Sequence, residues 1–150
     1  MTRCATLVLA ILVTAAPALA AQAAATAPLV NANTAMEADL AKLPNMTAAT
    51  AKALVSRRPF ASMSALDTFL GEQKLTREQR TQLYARLFVP VKLNTASDAD
   101  ILLIPGVGNR LLHEFKEYRP YKAMEQFRRE IGKYVSKEEV ARLERYVTIN

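Results

Sequence analysis

The sequence predicts an all-α protein made of two tandem units of short helices, and three observations carry that prediction. The chain repeats itself: "NANTAMEADLAKLP" from Asn31 aligns with "KLNTASDADILLIP" from Lys92 at an offset of 61 residues. Within each copy, apolar side chains recur at helical spacing rather than alternating as in a strand. Hydroxyl residues followed three positions later by Asp, Glu or Gln precede several of those apolar runs, the signature of a helix start.

The repeat continues through Arg58-Pro59-Phe60 against Arg119-Pro120-Tyr121, Met63 against Met124, and Gly71 against Gly132. Beyond that glycine the offset becomes 60, pairing "LTREQRTQLYARLFV" with "VSKEEVARLERYVTI". One deletion in a loop accounts for the slip. Self-similarity at such a period marks duplicated supersecondary units. Each unit is near the lower size at which a domain folds alone, so the two are expected to pack together.

The N-terminal stretch reads differently. Met1 to Arg3 supplies one positive charge, Ala5 to Ala16 is apolar, and Pro17 precedes Ala18-Leu19-Ala20. A short basic region, a hydrophobic region and an A-x-A site are the parts of a secretory signal peptide. The apolar run is short of the ~20 residues of a membrane span; an uncleaved anchor is the alternative. The expected organisation is a signal peptide at 1–20, a linker at 21–29, one unit at 30–90 and a second at 91–150. Cleavage near Ala20 removes Cys4, the single cysteine, so the mature chain holds its fold by packing alone. The expected location is periplasmic or secreted. Loss of Arg3 lowers the formal charge from +6 to about +5, a mild basic surplus that suits a polyanionic partner.

The first helix of each unit is expected to start at Thr34-x-x-Glu37 or Thr95-x-x-Asp98 and to end at Pro44 or Pro105. Leu40, Leu43, Leu54 and Leu66 are expected in the core of the first unit. Ile101, Ile104, Phe115 and Phe127 are expected in the second. In the second helix of the later unit, Leu111, Leu112, Phe115 and Tyr118 form one apolar stripe, which stops before Pro120 because proline disfavours a helical residue in front of it. A third helix carries Met124, Phe127 and Ile131. The last starts at Ser136-x-x-Glu139, matched by Thr76-x-x-Gln79, and turns Val140, Leu143 and Val147 inward. The "FVPVKLN" and "YVTIN" tails are expected to be extended and to pair as brief strands.

The densest motif is "LLIPGVGNRLLHEF", residues 102–115. A helix, a Pro-Gly-hydrophobic-Gly loop and a second helix make a helix-hairpin-helix arrangement. Pro105 ends the first helix, and Gly106 can take the left-handed conformation that the reversal needs. Val107 turns into the core. Gly108 lacks a side chain, so another molecule's backbone can approach the first amides of the next helix, where unpaired donors and the helix dipole favour an anion. A phosphate fits there, with Asn109, Arg110 and Lys116 adding side-chain contacts. Nothing in the motif reads base edges, so the binding it predicts is indifferent to sequence.

"LNTASDADILLIPGVGNRLLHEFKEYRPYKAMEQF", closing in "YVTIN", resembles the helix-hairpin-helix domain of the competence protein ComEA family. Residues 92–150 carry the resemblance well, and 30–89 form a degraded copy. The resemblance implies two tandem helix-hairpin-helix units of SAM-like type, export, and non-specific binding of double-stranded DNA during uptake. It places the contacts on Gly106, Val107, Gly108, Asn109 and Arg110. Three of four hairpin positions depart from the family pattern. The second loop of the later unit is Gly132-Lys133-Tyr134-Val135-Ser136, with one glycine. In the earlier unit the loops are Pro44-Asn45-Met46-Thr47 and Gly71-Glu72-Gln73-Lys74-Leu75-Thr76, and Thr47 stands where Gly108 stands later.

Other readings of these residues are structural. Thr47 is expected to cap a helix; Asn45 tolerates the left-handed region. Asp98 and Asp100 suit a helix N-terminus. His113, Arg57-Arg58 and Arg128-Arg129 are expected on solvated faces, and Tyr118, Tyr121 and Tyr134 in the core or at its rim. No nucleophile–base pair, phosphate-cradling Walker loop or metal-ligand cluster can be assembled, so neither catalysis, a cofactor, a metal nor a small-molecule substrate is expected. DNA-uptake or other envelope proteins are further expected partners. The competing reading is an exported structural module for protein–protein contact that kept the fold without the DNA, as in a lumenal extrinsic subunit of photosystem II.

Overall fold

The computed structural model describes residues 28–149. The expected signal peptide at 1–20 and residues 21–27 of the expected linker lie outside the described residues. The chain is mostly helical, with eight helices and four two-residue strands among the described residues. The first half runs β1 (Val30–Asn31), α1 (Glu37–Leu40), α2 (Ala48–Arg57), α3 (Met63–Glu72), α4 (Arg77–Tyr84) and β2 (Leu87–Phe88). The second repeats that order as β3 (Val91–Lys92), α5 (Asp98–Leu102), α6 (Asn109–Glu117), α7 (Met124–Ile131), α8 (Lys137–Glu144) and β4 (Val147–Thr148).

Each half is closed by its own ends. β1 pairs in parallel with β2, Val30 opposite Leu87. β3 pairs in parallel with β4, Val91 opposite Val147. The extended tails therefore pair as the sequence predicts, and the strand pair recurs in the first half. Val147 consequently lies half-buried in β4 rather than on the last helix.

Helix starts follow local side-chain chemistry, with one correction. Ser136 accepts from the Glu139 amide, and Thr76 with Gln79 forms a complete capping box. The first helices do not begin on Thr34 and Thr95. α5 is capped by Ser97, whose hydroxyl accepts from the Asp100 amide while the Asp100 carboxylate accepts from the Ser97 amide. At α1 the cap position is Met36, which offers no acceptor. The threonines instead sit in the preceding turn, where the Thr95 amide donates to Lys92 O. A serine–acid pair three residues apart satisfies two orphan donors, and the shift of two residues moves Asp100 to a position that matters below.

Two polar residues retained at the 61-residue offset are clips. Arg58 Nε donates to Ala32 O at 2.6 Å and its Nη2 to Ala35 O at 2.7 Å. Arg119 repeats this on Leu93 O and Ala96 O at 2.6 and 2.9 Å. Asn33 exchanges two hydrogen bonds with the Phe60 backbone, and Asn94 does so with Tyr121. Both arginines precede cis prolines. Arg58 is therefore not a solvated side chain, as its place in a basic doublet suggested. It saturates carbonyls of the turn that precedes α1.

All eight core residues expected from the sequence are buried: Leu40, Leu43, Leu54, Leu66, Ile101, Ile104, Phe115 and Phe127. One apolar cluster spans both halves. At the junction, Phe88 packs edge-on against Tyr146 with ring centroids 5.8 Å apart. Tyr146 Oη donates to Tyr84 O at 3.0 Å. Asp100 Oδ1 accepts from both the backbone N–H and the hydroxyl of Ser64, at 2.8 and 2.7 Å. The halves are thus joined by packing and by a buried carboxylate. Among the described residues, no helix is long and apolar enough to cross a membrane.

Candidate nucleic-acid interface

The hairpin between α5 and α6 is built as its residue types require. Gly106 has φ +81°, and a Cβ there would lie 2.9 Å from Arg142 Nη2. The left-handed φ favours glycine there, and a Cβ would require the Arg142 side chain to shift. Val107 is buried, which anchors the loop. From α8, Arg142 donates to Pro105 O at 2.5 Å while forking onto both Glu139 oxygens at 2.6 and 2.7 Å. The loop is therefore held from outside as well as from within.

Gly108 answers to a different constraint. It is the N-cap of α6 at φ −108° and ψ −177°, an extended conformation that does not require glycine, and a Cβ would meet nothing within 4 Å among the described residues. Neither backbone nor packing asks for glycine. The consequence of glycine is an N-terminus with no side-chain cap. The first amides of a helix have no intrahelical acceptor, and Asn109, Arg110 and Leu111 supply those of α6. In the earlier copy the same position is Thr47, whose hydroxyl accepts from the Thr50 amide at 3.1 Å and occupies the approach to α2. Asn45 takes Gly106's place at φ 60°. Its side chain donates to Gln82 Oε1 at 3.1 Å. One hairpin is capped and tied by side chains; the other is bare.

The basic residues around the bare hairpin differ in availability. Arg110 is exposed on the first turn of α6 and makes no ion pair among the described residues. Its guanidinium lies 5.8 Å from the centre of the Tyr134 ring. Asn109 and Lys116 share an open surface groove of about 340 Å³ with His113 on the same helix. Lys116 is ion-paired with Asp98 at 2.7 Å, both side chains being about half exposed. An exposed pair of this kind is weak and opens readily to a competing anion.

Tyr134 belongs to the second loop of this half, between α7 and α8. Its hydroxyl shares a 2.9 Å hydrogen bond with that of Tyr118. That bond, followed by interaction with Glu114, pushes the Tyr134 hydroxyl well above the usual phenol range. Lys133 Nζ sits 5.1 Å from the Tyr118 ring centre and is ion-paired with Glu130. A chain of contacts therefore runs Arg110, Tyr134, Tyr118, Lys133 across both loops. Spacing along α6 did not reveal it, because Tyr134 comes from another loop. Arg142 and the two arginine clips were missed as well. Their signal was available for the clips: polar residues kept identical between diverged copies.

The remaining doublet is neutralised. Arg128 forks onto Glu144 at 2.9 and 2.5 Å and also reaches Glu125, and Arg129 pairs with Glu130. His113 is exposed on α6. No group of three or more potential metal ligands occurs among the described residues. No protein-family model, curated protein or solved structure matches this chain.

Proposed function

We propose that this protein is exported and binds double-stranded DNA without sequence preference, through phosphates, using the hairpin of its later half. On this reading the halves are tandem helix-hairpin-helix units. The observation that carries it is Gly108, a bare N-cap in open space where the fold accepts any residue and where the sister copy places a capping threonine. Uncapped amides at a helix N-terminus form an anion site, Asn109 and Arg110 flank it, and Lys116 lies two turns along. The N-terminal basic, apolar and A-x-A segments support export. The protein acts by binding and not by catalysis, in the capture or transfer of external DNA among other envelope proteins.

A specific observation favours a second reading, an exported scaffold for protein contact. Several basic side chains of the later half are already ion-paired with Asp or Glu, as at Lys116, Arg128, Lys133 and Arg142. The two readings separate in a titration of the mature protein with random duplex DNA across a salt series. With about two to four phosphates engaged, the log–log slope is expected near −2 to −4. Gly108→Asp is expected to abolish binding by bulk and like charge. The melting temperature should hold or rise slightly, since Asp is a better N-cap than Gly. Asn45→Gly with Thr47→Gly should steepen the slope by about one phosphate's worth. A folded wild type that ignores duplex DNA at low salt leaves the scaffold reading.

A further inference from the structure

We propose that Tyr134 is a positioning residue for DNA binding: it restrains the guanidinium of Arg110, a residue of the first turn of α6, and so couples the two loops of the later half. The inference rests on the DNA-binding reading above. Its geometry does not. Arg110 lies over the Tyr134 ring at 5.8 Å, within the range of a cation–π contact. The ring is fixed at its far end by the hydroxyl bond to Tyr118, the C-cap residue of α6. One end of the tyrosine pair is thus anchored where α6 stops, and the other meets the arginine on its first turn.

The duplicated half supplies an internal control. At the 61-residue offset Ala49 stands for Arg110 and Arg57 for Tyr118, and the loop at 72–74, Glu-Gln-Lys, holds no aromatic residue in place of Tyr134. The stack is present where the N-cap is bare and absent where Thr47 covers it. An arginine free in solvent samples many rotamers. One held in a stack loses less freedom when it meets a phosphate, and its planar fork keeps its donors available at the edge.

Two measurements test the proposal. In the free protein, the Arg110 Hε resonance should be shifted upfield by the ring and its Nε relaxation restrained, and Tyr134→Leu should abolish both. In duplex binding, Tyr134→Leu should weaken affinity about two- to fivefold, the size of an exposed cation–π contact, and Tyr134→Phe should restore most of it. Tyr134→Leu should add nothing once Arg110→Ala is present. A structural role would instead weaken binding equally in both backgrounds, and that result overturns the proposal. So does a freely mobile Arg110 in the wild type, a readout that needs no variant to fold. Wild-type binding with no Tyr134 effect removes this inference alone; no wild-type binding at all removes the DNA reading with it.

Discussion

A methyl group on Gly106 would press against Arg142, and one on Gly108 would touch nothing among the described residues. Two glycines one residue apart thus carry different information, one about folding and one about what the surface admits. Tyr121 makes a similar point inside the core. It is buried, its hydroxyl has no hydrogen-bond partner among the described residues, and burial drives that hydroxyl well above the usual phenol range. The earlier copy has Phe60 at this place. An unsatisfied buried hydroxyl costs about 1–3 kcal/mol. Tyr121→Phe is therefore expected to raise the stability by about 1 kcal/mol, read as a higher midpoint in urea. A lower midpoint would mean that the hydroxyl has a partner.

At the scale of elements, apolar spacing held except at Val147, and capping motifs held at Thr47, Thr76 and Ser136 but slipped by two residues at the first helix of each half. The stripe through Leu111, Leu112, Phe115 and Tyr118 is a real helix face, and Phe115 is its fully buried member, edge-on to Phe127 with centroids 5.3 Å apart. Phe115→Ala is expected to cost about 3–5 kcal/mol, measured by thermal or urea unfolding. An unchanged melt would refute this packing. Thr95-x-x-Asp98 and Ser97-x-x-Asp100 are both plausible caps on paper because they overlap by two residues. The turn after β3 decides between them, since the Thr95 and Ala96 amides both donate to Lys92 O and defer the helix to Asp98.

For the whole molecule, Asp100 is the residue through which local and global structure meet. One oxygen completes the α5 capping box and the other accepts two bonds from Ser64 across the junction. Burial pushes its carboxyl up, but the hydrogen bonds from Ser64 and Ser97 together outweigh burial and leave it below the usual value. A depressed folded value means stabilisation that is complete above the unfolded value of about 3.9 and is lost as pH falls through the folded one. Asp100→Asn is expected to cost about 1–3 kcal/mol at neutral pH. The gap to wild type should close below about pH 4. A gap that widened in acid would show that the carboxylate is not held in its charged form.

The sequence by itself determined the duplication, the mostly helical class, the core residues, the left-handed glycine of the later hairpin and the pairing of the two extended segments that bound the later half. These are properties of local backbone preference and of side-chain periodicity, which neighbouring residues settle among themselves. Tertiary structure alone decided that Arg58 and Arg119 clip turns and that Arg142 holds the hairpin. It alone decided that Asp100 joins the halves and that Tyr134 reaches Arg110. Those contacts span 23 to 37 residues, from Arg58–Ala35 and Arg119–Ala96 to Ser64–Asp100 and Arg142–Pro105. Their partners are chosen by how helices pack, and a charge or a ring carries no mark in the sequence of which distant group it will meet.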